Sequence, residues 1–338
     1  MMSTKTVQTL DDIAHLANVS PSTVSRALNN SPLLSQETRE RIQALAKAHD
    51  FRINATARNL RMRQSHTIAF VTPAKHPERC AVEDLFGLEI LGAIGMGLHD
   101  IGYDLLVVHV EQRDLAWAPH YLNSGRADGY ILINSETRPS MMKNLVGMDI
   151  PLIVWGVPLP PLRYCSVSGD NITGGMLATQ HLIGLGRQKI AFLGGLQDTV
   201  TVQHRYQGYL NALQWAGRSP DPAQVAYGDY SYESGLHTMR RLLKATPDLD
   251  AVFVNSDLMA IAAIQALQEA GKSVPEQVAV VGYDDLSIAA YNNLPLTPIR
   301  QNIPLAGKLL AQNLVQFIQT GVVTNVTTPV ELVIRKSA

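Results

Sequence analysis

The sequence predicts an N-terminal all-α helix-turn-helix head, a short hinge helix, and an α/β body of two doubly wound parallel-sheet subdomains. Three observations carry that prediction. Residues 9–28 read as two short helices around a tight turn. From Thr67 onward, short apolar runs alternate with amphipathic helices. At 338 residues the chain exceeds one comfortable domain. The expected division is residues 1–53 for the head, 54–65 for the hinge or linker, and 66–338 for the body.

In the first helix, Thr9 stands where its hydroxyl can cap the amide of Asp12, and Asp11 and Asp12 lie at the positive end of the helix dipole. Leu10, Ile13, Ala14, Leu16 and Ala17 are read as its apolar face. Asn18 falls at the turn, where a left-handed backbone is needed and asparagine adopts it at modest cost. Ser20 then caps a second helix that begins with Pro21, whose missing N–H costs nothing there. Val24, Ala27 and Leu28 face inward, leaving Pro21, Ser22, Ser25 and Arg26 outward. A short polar face with an arginine suits base edges in a major groove, where Arg26 can fork onto guanine O6 and N7. The plainer alternative is a helical hairpin with an exposed arginine.

A third helix is expected after Ser35, running to about Ala48 and packing Ile42, Leu45 and Ala46 on the first two. Arg39, Arg41 and Lys47 then read either as phosphate contacts or as a solvated face. Residues 54–63 form a helix-capable segment capped by Asn54 and rich in arginine, with Leu60 almost its only large apolar side chain. So short and basic a segment is marginal alone. In a minor groove beside its dimer mate it can drive Leu60 between base pairs with Arg58 and Arg61 flanking; the alternative is a flexible linker.

Net charge is only −1, but residues 1–65 hold nine Lys and Arg against five acids, leaving 19 against 24 in the rest. A head of +4 on a body of −5 suits local, salt-sensitive phosphate contact. The two cysteines, Cys80 and Cys165, lie far apart without His or Cys at metal spacing, so no zinc site or disulfide framework is expected and a reducing cytoplasm fits. No cofactor and no metal are expected. No signal-like or membrane-spanning apolar run is seen, so the expected location is cytoplasmic, on the nucleoid.

In the body, the expected strands are Thr67–Thr72, Leu105–His109, Gly129–Asn134, Leu152–Trp155, Lys189–Leu193, Gln224–Tyr227, Ala251–Asn255 and Val278–Tyr283. The expected helices are Leu88–Ile101, Arg138–Gly147, Gly174–Gly184, His204–Ala216, Tyr232–Lys244, Leu258–Ala270 and Leu305–Thr320. Ligands of such folds collect at the carboxyl ends of strands, here in a cleft between two halves.

Several stretches, in order, resemble the lactose-repressor (LacI/GalR) family of bacterial transcription regulators. They are Thr9–Leu28, Ala55–Leu60, Val167–Gly174, His181–Gly186, Arg205–Gly208, Asp257–Ala260, Val280–Asp285 and Leu296–Gln301. The resemblance implies a homodimer, with a higher oligomer open, that represses transcription by reading a pseudo-palindromic operator in double-stranded DNA. It implies a periplasmic-binding-protein-like body that senses a small sugar-like effector. It also implies three chain crossings, with residues 66–167 and 299–327 in one subdomain and 168–298 and 328–338 in the other.

By motif match, Pro21, Ser22 and Arg26 fall on base-reading positions, Leu60 on the minor-groove wedge, and Arg205 and Asp284 on effector positions. A guanidinium forks across vicinal hydroxyls or a carboxylate, and an aspartate accepts from sugar hydroxyls. Trp155 and Tyr230, near strand ends, offer stacking faces, with core packing as the alternative. Phe86 and Glu89 lie in the stretch that typically lines the pocket, although Glu89 reads equally as solvated. Ser256 stands where the family usually has a ligand-contacting asparagine. Asn18 replaces a common glycine and Ile53 a common proline. A transport protein sharing the body would begin with a secretion signal, not a helix-turn-helix. An enzyme is not expected: Gly92–Gly97 is no dinucleotide fingerprint, and no phosphate loop, nucleophile elbow or paired His cluster appears.

Overall fold

In a computed structural model of the chain, residues 7, 9–28, 30–51, 64–73, 84–111, 114–133 and 139–338 are described. The expected hinge helix, with Asn54, Arg58, Leu60 and Arg61, lies outside the described residues, as do Ile53 and Cys80. By contacts the chain divides into Met1–Ser65 and His66–Ala338.

In the first unit, helix α1 (Leu10–Ala17) opens with a reciprocal cap. The Asp12 amide donates to Thr9 Oγ1 at 3.1 Å, and the Thr9 amide donates to the Asp12 carboxylate at 2.9 Å. It ends at Asn18, left-handed with φ 53°. Helix α2 (Pro21–Leu28) starts with the Thr23 amide on Ser20 Oγ at 3.2 Å, and α3 (Gln36–Ala48) with the Thr38 amide on Ser35 Oγ at 3.3 Å. Ile13, Ala14, Ala17, Val24, Ala27, Ile42 and Ala46 make the buried core. Leu16 is not part of it and is 50% exposed, because it lies off the edge of the stripe that positions 10, 13, 14 and 17 define on a helix. Arg41 Nη2 donates to the Ala17 carbonyl at 3.3 Å, closing the end of α1.

The second unit holds two six-stranded sheets. The first comprises β1 (Thr67–Pro73), β2 (Asp104–Val110), β3 (Gly129–Ile133), β4 (Leu152–Trp155), β5 (Cys165–Gly169) and β11 (Asn325–Thr328). Their order is β11-β5-β4-β3-β1-β2, all parallel. Helices α4 (Leu85–His99), α5 (Trp117–Asn123), α6 (Pro139–Gly147) and α12 (Ile303–Thr320) belong to this lobe. The second sheet comprises β6 (Ile190–Gly194), β7 (Val225–Tyr227), β8 (Ala251–Val254), β9 (Ala279–Asp284), β10 (Thr297–Gln301) and β12 (Val330–Leu332). Its order is β12-β10-β9-β8-β6-β7, with only the β10–β12 pair antiparallel. Its helices are α7 (Asn171–Gly184), α8 (Val200–Trp215), α9 (Tyr232–Ala245), α10 (Asp257–Glu269) and α11 (Ser287–Tyr291).

The central strands are buried along their whole length, as parallel strands covered on both faces must be. Along β8 the period of two sends Ala251 and Phe253 to the side of α7 and α8, and Val252 and Val254 to the side of α9 and α10. In α4, Gly97 serves close packing: a Cβ there would come within 3.0 Å of the Gly307 carbonyl of α12, whereas Gly92 faces open space.

The chain passes between lobes after β5, β10 and β11. These passages fall one to three residues later than the resemblance implied. Gly169 still pairs with Thr328 in the first sheet, and Ile299–Gln301 pair with β9 or β12 in the second. The correction at 299 has a local cause: Asn302 caps α12 through the Leu305 amide at 3.1 Å, and proline occupies the first turn, so the helix cannot begin earlier.

Candidate functional site

On the head, Pro21, Ser22 and Arg26 are exposed and Ser25 is half-buried, with Val24 and Ala27 holding the opposite face of α2 in the core. Ser20 Oγ lies 2.8 Å from the hydroxyls of both Ser22 and Thr23, so the first turn of α2 is held by its own side chains. Lys47 is exposed, whereas Arg41 spends part of its guanidinium on Ala17.

In the body, Arg205 on α8 reaches the carboxyl ends of β8 and β9. Its side chain is buried at 6% exposure, and its Cζ lies 3.5 Å from the Tyr283 ring centroid. Nε donates to Asn171 Oδ1 at 2.9 Å and Nη1 to the Asn255 carbonyl at 2.6 Å. Nη2 stands 4.0 Å from Asp284 Oδ1, which also accepts from Gln301 Nε2 at 2.7 Å. Glycines admit this arrangement. A Cβ at Gly175 would sit 2.1 Å from the Arg205 carbonyl, and one at Gly174 would sit 2.3 Å from the Tyr283 hydroxyl.

Asp284 and Asp285 both have positive φ, 109° and 60°, a conformation that costs a non-glycine residue about 1–3 kcal/mol. The kink sends the two carboxylates to separate partners: Asp284 to Arg205 and Gln301, Asp285 to Arg300 and Arg335 at 2.6 Å each. Burial pushes the Asp284 carboxyl up to about 7 against the pull of Arg205 and Gln301, with Glu89 and Asp84 pushing the same way. Asp257, fully buried, accepts the Leu286 amide at 2.7 Å; burial and then the charge of Asp284 raise it well above the ordinary carboxylate range.

Tyr230, with φ 71°, lays its ring over Gly195, and its phenol is raised chiefly by burial while feeling the charges of Arg205 and Asp284. The structure thus brings Arg205, Tyr230 and Asp284 together. Ser256 caps α10 by accepting the Met259 amide at 3.3 Å. Phe86 and Trp155 pair at 6.0 Å between centroids, with Trp155 sunk in the first lobe's core. Glu89 is not simply solvated: its Oε1 accepts the Ser287 amide at 2.8 Å.

Three neighbours of Arg205 went unselected in the sequence: Asn171, Asn255 and Tyr283. Asn255 is fully buried, and neither atom of its side-chain amide has a hydrogen-bond partner. The available signal was position: Asn171 and Tyr283 lie at a helix start and near a strand end within motifs already singled out, and Asn255 ends an expected strand.

Comparison with known proteins decides the family. The family profile for bacterial regulatory proteins of the lacI family matches residues 9–54, and that for a periplasmic binding protein-like domain matches residues 179–338. The HTH-type transcriptional regulator CelR of Thermobifida fusca is 37% identical over 96% of this chain and 95% of its own length. The chain belongs to the LacI family of bacterial regulatory proteins. The ribose operon repressor of Haemophilus influenzae is 31% identical over 92% of both chains.

Among solved structures, the lac repressor dimer bound to operator and the anti-inducer ONPF matches with TM-score 0.82 and 28% identity, covering 97% of this chain and 98% of that one. A CelR–cellobiose complex matches with TM-score 0.73 and 34% identity, covering 98% and 99%. This LacI-family chain is a DNA-binding transcriptional regulator and not an enzyme. Among the described residues, no helix is long and apolar enough to cross a membrane, and no group of three or more His, Cys, Asp or Glu could hold a metal ion.

Proposed function

We propose that the protein is a homodimeric repressor whose two heads read a pseudo-palindromic operator and whose body closes on a neutral sugar. One observation carries the sugar reading: Arg205 and Asp284, both nearly inaccessible, face each other at 4.0 Å at the carboxyl ends of parallel strands beside the Tyr230 ring. The guanidinium has donors left over, and the aspartate accepts from hydroxyls. Tyr230 supplies an apolar face of the kind a pyranose ring covers. The likeness to CelR, known in complex with cellobiose, makes cellobiose the first sugar to test. Pro21, Ser22, Ser25 and Arg26 read bases, and Asn54, Arg58, Leu60 and Arg61 engage the minor groove. Phe86, Trp155 and Ser256 complete the wall of the sugar site. Residues 1–53, 54–65 and 66–338 act as reader, hinge and sensor. The sugar alters the angle between lobes and hence the spacing of the heads, with a coupling no larger than its differential affinity for the two closures.

The test selects an operator from random duplexes with the full chain and measures its affinity with and without cellobiose, other disaccharides and ribose. A dimer on a two-fold site, with affinity moved by one of these sugars, is expected. Arg26→Ala should relax base preference while Lys47→Ala weakens all sequences alike. DNA affinity indifferent to every sugar that occupies the body would overturn the sensor; equal loss on cognate and random DNA for Arg26→Ala would overturn the reader.

A further inference from the structure

The segment Asp284–Ser287 touches both lobes. It leaves β9 of the second lobe, yet the Leu286 side chain, 3% exposed, packs in the core of the first lobe with Phe70, Ile90 and Ile303 among others. The Leu286 amide is held from the second lobe by Asp257 at 2.7 Å, while the next amide, Ser287, is held from the first lobe by Glu89 at 2.8 Å. Two successive amides are therefore anchored to opposite lobes. We infer that Glu89 is the interlobe latch of the body, a positioning residue that holds the segment bearing Asp284 against the first lobe when the cleft is closed.

Three features support a latch rather than an incidental surface bond. Glu89 is on α4, which is locked to α12 by the Gly97 and Gly307 contact, so the carboxylate is fixed to a rigid pair of helices. Its acceptor takes the Ser287 amide, which as the first of α11 has no acceptor within its own helix. The charge of Glu89 also disfavours charge on Asp284. The latched state thus sets two carboxylates against each other. A ligand whose hydroxyls donate to Asp284 offsets that repulsion, so ligand and latch favour the same closed arrangement.

This inference rests on the sugar reading only for its ligand arm. In the ligand-free full chain, hydrogen exchange of the Ser287 and Leu286 amides is measured in wild type, Glu89→Ala and Glu89→Gln. Loss of the acceptor should speed both amides about tenfold in Glu89→Ala, since Leu286 loses the cover of the first lobe as the lobes part. Glu89→Gln keeps an oxygen that accepts, and should stay within about threefold of wild type. Faster exchange at Ser287 alone would reduce Glu89 to a local cap and overturn the latch, as would equal exchange in wild type and Glu89→Ala or equal loss in the two variants. Calorimetry with cellobiose then adds an expected affinity loss of about tenfold in Glu89→Ala, and undiminished affinity would also overturn the latch. Failure of wild type to bind cellobiose or any of the other sugars counts against the sugar reading, while the exchange experiment still decides the latch.

Discussion

Replacing Asp284 by Asn should flatten the acid side of the stability profile. The side chain is 7% exposed, and burial lifts its carboxyl from 3.8 to about 7, so between those values the folded protein holds a proton that the unfolded chain has released. Stability therefore falls as pH rises through that window and levels above it. A difference of about three units corresponds to roughly 4 kcal/mol at most, and because Asp257 is raised beside it the slope belongs to the pair. Asparagine keeps an acceptor for the Gln301 amide and tolerates positive φ, so the geometry survives while the titration does not. The assay is urea unfolding of wild type and Asp284→Asn from pH 4.5 to 8, read as the difference between the two profiles. Wild type should lose about 2–4 kcal/mol relative to the variant across that range. Parallel profiles would refute the assignment of the proton to this site.

Gly208→Ala should lower the urea midpoint by an amount worth about 2–3 kcal/mol, because a methyl group there would lie 2.1 Å from the Ile172 carbonyl and force α7 and α8 apart. An unchanged midpoint would mean that the helices yield at no cost. Asn18→Ala should destabilise the head by about 1–2 kcal/mol through its left-handed φ of 53°, and Asn18→Gly should not; hydrogen exchange of the α1 and α2 amides in the intact chain reads both.

The head was legible nearly to the residue because its signals are local: capping hydroxyls at Thr9, Ser20 and Ser35, a proline in the first turn of α2, and an asparagine at a left-handed turn. Leu16 misled because apolar type alone does not fix the angle around a helix. In the body, the strongly apolar strands and their alternation with helices were readable, but β5 reads Cys-Ser-Val-Ser-Gly and β10 reads Thr-Pro-Ile-Arg-Gln. The side chains of buried Ser166, Thr297 and Gln301 are satisfied by neighbours distant in sequence, which no window reveals. Helices α4, α7 and α8 begin three or four residues before the apolar period becomes visible; for α4 and α7 the true start was marked by Asp84 and Asp170, whose carboxylates cap them. Arg205 and Asp284 were singled out through motif likeness. Asn171, Asn255 and Tyr283 were not, because what makes them matter is the guanidinium that arrives from another helix.

Gln301 occupies a mechanical crossroads. Its side-chain oxygen fills the space a Cβ would take at Gly169, Val330 abuts the same glycine, and the Asp170 amide bonds to the Thr328 carbonyl, so all three passages between the lobes lie side by side. Motion concentrated there is rotation about one pivot, and the amide nitrogen of that glutamine rests on the carboxylate of Asp284. A molecule that tugs on this carboxylate pulls directly on the axle, without any relay through the surrounding sheets.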